Sequence, residues 1–300
     1  MKRLWMGMTL TIVMVAVSWI GNVWYFKAQQ LGEPLFLEHH IEMTAIAGDI
    51  FDLYYLEDLN GEKKVSSISI PDFPEIRITT QQPDYQRYSH QQLGRFIMSL
   101  PSDIAGLGMD DADTPKIIRT AFVQFNDGTS KEVDIGEIRL KKLFIDKDKS
   151  PVKWSSGGSS SDLAGFDTVQ IERPVSLQGI KTNYLSLIKS GQLKLYIDTI
   201  TESPGTTFQM NESEDGGILL EGVPFQELEL PQKFHKGDAI HFSYKYIPEE
   251  ISADIYSIHL EIEFMEEDQL WDHTIHIKFA PSFTEKAIRN LVRDRREANE

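Results

Sequence analysis

Tyr256-Ser257-Ile258-His259-Leu260-Glu261-Ile262-Glu263-Phe264 decides the fold class. Every second residue is large and apolar, and the residues between are polar. Side chains alternate between the two faces of a β-strand, so this stretch puts one face on a core and one in water. Two neighbours repeat the pattern. Ile240, Phe242, Tyr244 and Tyr246 alternate with His241, Ser243 and Lys245, and Ile275, Ile277 and Phe279 alternate with Thr274, His276 and Lys278. Many short strands with turn signals between them point to antiparallel β-sandwich-like modules, one or two of them.

If these strands form an antiparallel meander, the turns Ile247 to Asp254 and Phe264 to Trp271 set its register. His241 then falls opposite His259 or Glu261, and His259 opposite His276. Direct neighbours have Cβ atoms ~4.5–5.5 Å apart, near enough for two imidazoles to share a zinc ion. The outer pair is about twice as far apart, which strains a site of three histidines. Imidazoles on a wet sheet face are the favoured reading. His241, His259 and His276 therefore stand as a weak metal candidate, with no metal or other cofactor expected.

Working outward, residues 166–280 read as one β-rich unit. It opens with Thr168–Ile171 and Val175–Ile180, then a short helix capped by Asn183 and closed by Gly191. Strands follow at Leu193–Ile197, Gly217–Leu220 and Phe225–Leu230. Residues 282–298 form a basic amphipathic helix, with Ser282 and Glu285 as a capping box. Its stripe of Ala287, Ile288, Leu291 and Val292 opposes Lys286, Arg289, Arg293, Arg295 and Arg296. The narrow stripe favours docking on the acidic domain, or fraying, over lying on a membrane.

Upstream, residues 146–165 are rich in Gly and Ser and read as a linker or surface loop between two units. Residues 35–145 are the first unit. Phe51, Leu53 and Tyr55 alternate with Asp52, Tyr54 and Leu56, as in a strand covered on both faces. Asn60-Gly61 marks a hairpin to Val65–Ile70. Pro71 and Pro74 break that strand before Ile76-Arg77-Ile78. Ser89 with Gln92 resembles a capping box, and Leu93, Phe96, Ile97 and Leu100 share a helical face, so a helix is expected near 90–100. A second hairpin turns at Asn126-Asp127-Gly128, between Ala121–Phe125 and Glu132–Leu140.

The chain begins with Leu4–Phe26, an uncharged apolar run long enough to span a bilayer. Trp5 sits at one end and Trp24 and Tyr25 at the other, as interfacial aromatics do. Lys2 and Arg3 place residues 1–3 in the cytoplasm as a stub, and everything after residue 26 outside. A small-residue cleavage site at Ala16-Val17-Ser18 is the competing reading. The apolar run continues past it, which favours an uncleaved signal-anchor. Gly7, Ser18 and Gly21 are small enough for a neighbouring helix to approach and Asn22 could hydrogen-bond one, but a lone span with a hydrated Asn22 is the favoured reading.

The net charge of −16 argues against nucleic acid, which needs clustered cations. With no cysteine, disulfides, thiolate zinc sites and cysteine nucleophiles are excluded together. A cysteine-free exported chain fits a Gram-positive cell surface. Ser150-Pro151-Val152-Lys153 and Ser186-Leu187-Ile188-Lys189 match S-x-x-K, but without a following Lys-Thr-Gly strand. Asp110, Asp111 and Asp113, and Glu212, Glu214 and Asp215, lack the rest of a calcium loop and read as solvated loops. Asn211 begins a glycosylation sequon, and Trp154 is a lone candidate for stacking on sugar. The expectation is a membrane-tethered, non-enzymatic binding or accessory protein with an envelope protein partner. The alternative is an envelope hydrolase or transferase using a carboxylate pair.

Overall fold

The computed structural model describes residues 2–103, 107, 114–142, 150–160, 163–200, 220–247, 253–279 and 283–297. Helix α1 (Lys2–Ala28) has 27 residues, about 40 Å at 1.5 Å per residue. Its Thr11–Ala28 stretch is 0% buried against the protein and is long and apolar enough to cross a membrane.

Beyond α1 the chain is mostly β. The N-terminal half supplies β1 (Leu35–Phe36), β2 (His39–Thr44), β3 (Ile50–Asp58), β4 (Val65–Ser69), β5 (Arg77–Arg87), β6 (Gln91–Ser99), β7 (Lys116–Phe125) and β8 (Ser130–Lys141). The C-terminal half supplies β9 (Val152–Ser159), β10 (Ala164–Ile171), β11 (Val175–Lys181), the short helix α2 (Leu185–Lys189), β12 (Leu193–Ile200), β13 (Val223–Pro224), β14 (Gln232–Phe234), β15 (Ala239–Tyr246), β16 (Ile255–Glu266) and β17 (Gln269–Lys278). Helix α3 (Glu285–Glu297) closes the chain.

These strands make two sandwiches that share a sheet. The shared sheet runs β14-β11-β16-β2-β8-β7-β4, with β17 on the free edge of β16. Sheet β1-β3-β6-β5 covers its β2-β8-β7-β4 portion, enclosing a core that includes Phe51, Leu53, Tyr55, Phe96, Met98, Ile135 and Ile138. Sheet β13-β12-β15-β10-β9 covers the β11-β16-β17 portion over Val169, Leu195, Phe242, Ile258, Leu260 and Ile277. Most pairings are antiparallel, but β2 pairs in parallel with both β8 and β16. The shared sheet thus takes strands from both sides of residues 146–165.

Several sequence expectations fail here. Residues 91–99 are strand β6, not a helix. Leu93, Phe96, Ile97 and Leu100 have helical spacing, but on the strand Leu93 turns to the cluster with α3 while Phe96 and Leu100 enter the main core, with a glycine between them. Gly94 lies opposite Tyr55, and a Cβ there would enter the Tyr55 ring. The missing side chain lets that ring cover the neighbouring backbone. Residues 152–159, within the expected linker, form β9 and pair with β10 along its length. Their glycines make room for Phe166 and Asp167 on the adjacent strand. Asn60-Gly61 does turn the chain, but β3 pairs with β1 and β6 while β4 pairs with β7, so it joins two sheets instead of closing a hairpin. Residues 225–230 also depart from expectation: Phe225–Glu227 is a 3-10 turn.

Other readings hold. The Asn126-Asp127-Gly128 hairpin closes β7 on β8, with Gly128 at φ 80° as its turn requires. Strand β3 is buried on both faces, one against the main core and one through Tyr54 and Leu56 against α3. Helix α2 occupies its expected place, yet Asn183 does not cap it: the amide donates to Glu42 instead. Residues 110–113, 211–215 and 282 lie outside the described residues, as do residues 217–219 of the strand expected at Gly217–Leu220.

One seam joins the lobes. Along one edge of β16, Ile255–Ser257 pairs with β2 and Glu261–Met265 pairs with β11. Between them the carboxylate of buried Glu42 takes the place of the missing ladder: His259 N–H donates to Glu42 Oε2 at 2.9 Å. Nearby, His39 is fully buried. Its Nδ1 donates to Ile135 O at 3.0 Å while its Nε2 accepts from Tyr54 N–H at 2.8 Å. Gly136, at φ 84°, is required beside it, because a Cβ would overlap the His39 backbone.

Candidate functional site

The strand that bridges the lobes also builds a cleft beside them. Residues 256, 258, 260 and 262 of β16 turn into the C-terminal core, so Ser257 and His259 face the other way. On β17, Thr274, His276 and Lys278 share that outward face by register. Opposite them stand Asp52 and Tyr54, on the side of β3 turned away from the N-terminal core. The cleft between has a volume of roughly 1120 Å³, above the ~300–1000 Å³ of most small-molecule sites. Its apolar wall includes Ile41, Ile50, Phe51, Ile255, Tyr256 and Phe279.

Asp52 is the charged centre of the floor, with a side chain only 8% exposed. Lys278 Nζ donates to its Oδ2 at 3.0 Å, Tyr54 O–H donates at 3.4 Å, and Arg95 Nη1 lies 3.7 Å away. Two cations therefore hold one carboxylate, and the Lys278 contact ties β17 to β3 across the cleft. Burial, with the Asp52 charge added, pushes the Tyr54 phenol above its ordinary range, so it remains a donor at neutral pH.

Beside this cluster Ser257 Oγ and His276 Nε2 are 2.8 Å apart, within hydrogen-bonding distance. The His259 and His276 rings meet edge to face, with centroids 5.1 Å apart and planes at 82°. Burial, the His276 ring and the Lys141 charge bring His259 down to about 4. His276 is lowered too, by the surrounding protein and then by Lys278, although part of its ring stays open to the cleft. Burial alone brings His273 to about 4. These imidazoles are neutral at pH 7 and serve as hydrogen-bonding groups, not charges. Asp272 goes the opposite way, raised by burial and by Glu261 and Glu263.

Trp154 stands at the cleft mouth, 56% exposed. Its side chain hydrogen-bonds Asp167, which partly offsets the burial that pushes that carboxyl up to about 6. An indole so held is oriented for stacking before any ligand arrives.

The histidine candidate resolves into two unequal parts. His259 and His276 are direct cross-strand partners, as the turn from Phe264 to Trp271 implies. His241 is not beside them, because β15 pairs with β10 and β12, not with β16. There it is 3% exposed, with Thr168 Oγ1 3.0 Å from its Nδ1 and its ring stacked on Phe166. β15 and β16 lie in different sheets, where a meander would have paired them. Among the described residues no group of three or more His, Asp and Glu is placed to hold a metal ion. Of the S-x-x-K matches, Ser150 and Lys153 line the cleft, but the Ser150 hydroxyl donates to Val152 O at 2.8 Å. Ser186 and Lys189 lie on α2.

The sequence did not reveal Asp52, Arg95, Ser257 and Lys278 as one cluster. A signal was present: a strand read as buried on both faces carries an aspartate, which demands a partner.

No family model matches the chain, and no curated protein matches it. Solved structures align over most of its length at very low similarity. A structure described as manganese lipoxygenase of Gaeumannomyces graminis with partial zonadhesin of Komagataella pastoris has 11% identity and TM-score 0.21, covering 79% of this chain and 89% of that one. A protein of unknown function from Porphyromonas gingivalis W83 has 8% identity and TM-score 0.21, covering 83% and 97%. The N-terminal periplasmic domain of ScsB from Proteus mirabilis has 13% identity and TM-score 0.17, covering 79% and 91%. Scores at this level assign neither family nor activity.

Proposed function

We propose that the protein is a membrane-tethered, extracytoplasmic binding protein, non-enzymatic, held by α1 with its N-terminus inside and both sandwiches outside. Its ligand is amphipathic. The apolar part lies along Ile50, Ile255 and Phe279, the polar part meets Lys278, Ser257 and His276, and Trp154 covers the entrance. The cleft carries this reading: a large apolar-walled cavity whose few polar groups converge at one end is the usual form of a small-molecule site. The positive end of α1 (Lys2 and Arg3) supports the orientation, and the absence of cysteine fits a Gram-positive envelope. An envelope protein that delivers or receives the ligand is the proposed partner.

The test uses 8-anilinonaphthalene-1-sulfonate, an amphipathic anion whose fluorescence rises in apolar surroundings. Full-length protein in nanodiscs should enhance it saturably, above empty discs. Ile50→Asp and Trp154→Ala should each weaken the affinity about tenfold, a cost of about 1.4 kcal/mol. Saturable enhancement unchanged by both substitutions would remove the cleft as the site.

The Ser257–His276 hydrogen bond favours a second reading as a hydrolase, with the serine as nucleophile and the imidazole as base. Among the described residues no carboxylate hydrogen-bonds to His276 to orient it, and Asp52 is already paired with two cations. Hydrolysis of 4-nitrophenyl acetate that is lost in Ser257→Ala would support the enzyme over the binding protein.

A further inference from the structure

The connector after α1 is short, polar and fastened to the ectodomain at each step. Gln91 Nε2 donates to Gln29 O at 2.6 Å. The backbone N–H groups of Leu31 and Gly32 donate to the Asp58 carboxylate at 2.9 and 3.0 Å. The Phe26 and His90 rings meet edge to face at 5.9 Å. Helix α3 completes the collar: Ile288 and Val292 pack against Leu37, Tyr54, Leu56 and Ile255, and Arg296 Nη1 donates to Ala28 O at 2.6 Å. An amphipathic C-terminal helix is therefore placed directly beside the end of the anchor.

Its basic residues are not spread evenly. At about 100° per residue, Arg296, Arg289, Arg293 and Lys286 fall about 80–160° from the buried Ile288, within one flank. Asp294 lies outside that arc. Because Arg296 belongs to this flank and bonds to the last residue of α1, the flank faces the side where the anchor leaves the bilayer. A helix of 27 residues exceeds the ~30 Å hydrocarbon layer by about 10 Å, so Ala28 sits at headgroup level. Among the contacts of the flank, Arg289 Nε lies 3.4 Å from Glu285 O, and Arg293 Nε lies 3.3 Å from Asp294 at the exposed surface. Such contacts are readily exchanged for a phosphate. The chain as a whole carries −16, so a flank of four cations at this one place opposes the general charge.

We propose that this flank of α3 is a second membrane contact, binding the phosphate groups of anionic lipids in the leaflet where α1 emerges. It rests on the reading that α1 spans the membrane. The contact pins an acidic ectodomain that an anionic surface would otherwise repel, and it fixes the height of the cleft mouth above the lipid.

The chain has no cysteine, so one introduced thiol reports from one place. Full-length Glu297→Cys, carrying a fluorophore, is placed in nanodiscs with headgroup-spin-labelled lipid, either neutral or enriched in phosphatidylglycerol. Quenching several-fold stronger in the anionic discs, lost with Lys286→Gln/Arg289→Gln/Arg293→Gln and at high salt, is the expected result. Equal quenching in both lipids, or quenching indifferent to the triple substitution, would overturn the contact while leaving the anchor standing. Inorganic phosphate that abolishes the anionic-disc quenching at millimolar concentration would reassign the flank to soluble phosphate and overturn the lipid. Failure of the chain to enter discs would overturn the anchor and this contact together.

Discussion

Lowering the pH from about 7 to about 4.5 should cost this protein stability through His39 in particular. The ring is fully buried, and both nitrogens are committed: Nδ1 donates to Ile135 O, and Nε2 accepts from Tyr54 N–H. A second proton would have to sit on Nε2, facing a donor. Burial accordingly brings the folded pKa from 6.5 to about 4. Between those values the unfolded chain binds the proton and the folded chain refuses it, so stability falls as the pH drops through this window and levels off below it. From about pH 7 to about pH 4.5 the linkage relation gives a loss of about 2.5 kcal/mol from this residue. Against a total of ~5–15 kcal/mol, that is a sizeable fraction. The assay is urea unfolding of full-length protein in nanodiscs at both pH values, compared with His39→Gln. Histidines and carboxylates elsewhere titrate alike in both proteins, so the difference isolates this ring. If the variant loses as much stability as the wild type, or if NMR shows His39 protonating near 6.5 in the folded protein, the reasoning fails.

Further outcomes follow from the seam, the glycine and the helix. Glu42→Ala leaves the His259 N–H unpaired between two ladders and should cost about 1–3 kcal/mol, with faster hydrogen exchange at the His259 amide as the local sign. Gly94→Ala should cost about 1–3 kcal/mol by driving a methyl into the Tyr55 ring. Most of that cost should vanish in a Tyr55→Ala background, and a double-mutant cycle with no coupling would discard the explanation. Ile288→Ala, at a site 1% exposed, should cost about 2–4 kcal/mol. Proteolysis should then cut within α3 before it cuts the sandwiches.

How much of this could be read from the sequence depended on how local each cause was. Alternation in 240–279 identified three strands because a half-buried strand writes its face into every second residue. The Asn126-Asp127-Gly128 hairpin was equally local. Leu93, Phe96, Ile97 and Leu100 misled because a strand with apolar residues on both faces can match helical spacing, and the role of Gly94 depends on a tyrosine from another strand. The Gly/Ser composition of 152–159 misled for the same reason, since its small residues fit under Phe166 and Asp167. His259 and His276 were paired correctly across one turn. The cleft was hidden: its floor needs Asp52 from β3, Arg95 from β6 and Lys278 from β17, and no pattern within one strand links them.

The shared sheet sets how the cleft can behave. Two-lobed receptors that close on their ligands bend at a few linker residues. Here hydrogen-bonded strands run from one lobe into the other, and Glu42 fills the gap between the segments of β16, so closing like a jaw would break ladder bonds. The cleft is therefore a fixed mould. Recognition should depend on shape already present, little binding energy should go into rearrangement, and exchange should be governed by side chains at the mouth such as Trp154. On the binding reading proposed above, ligand would come and go without changing the outline of the two sandwiches.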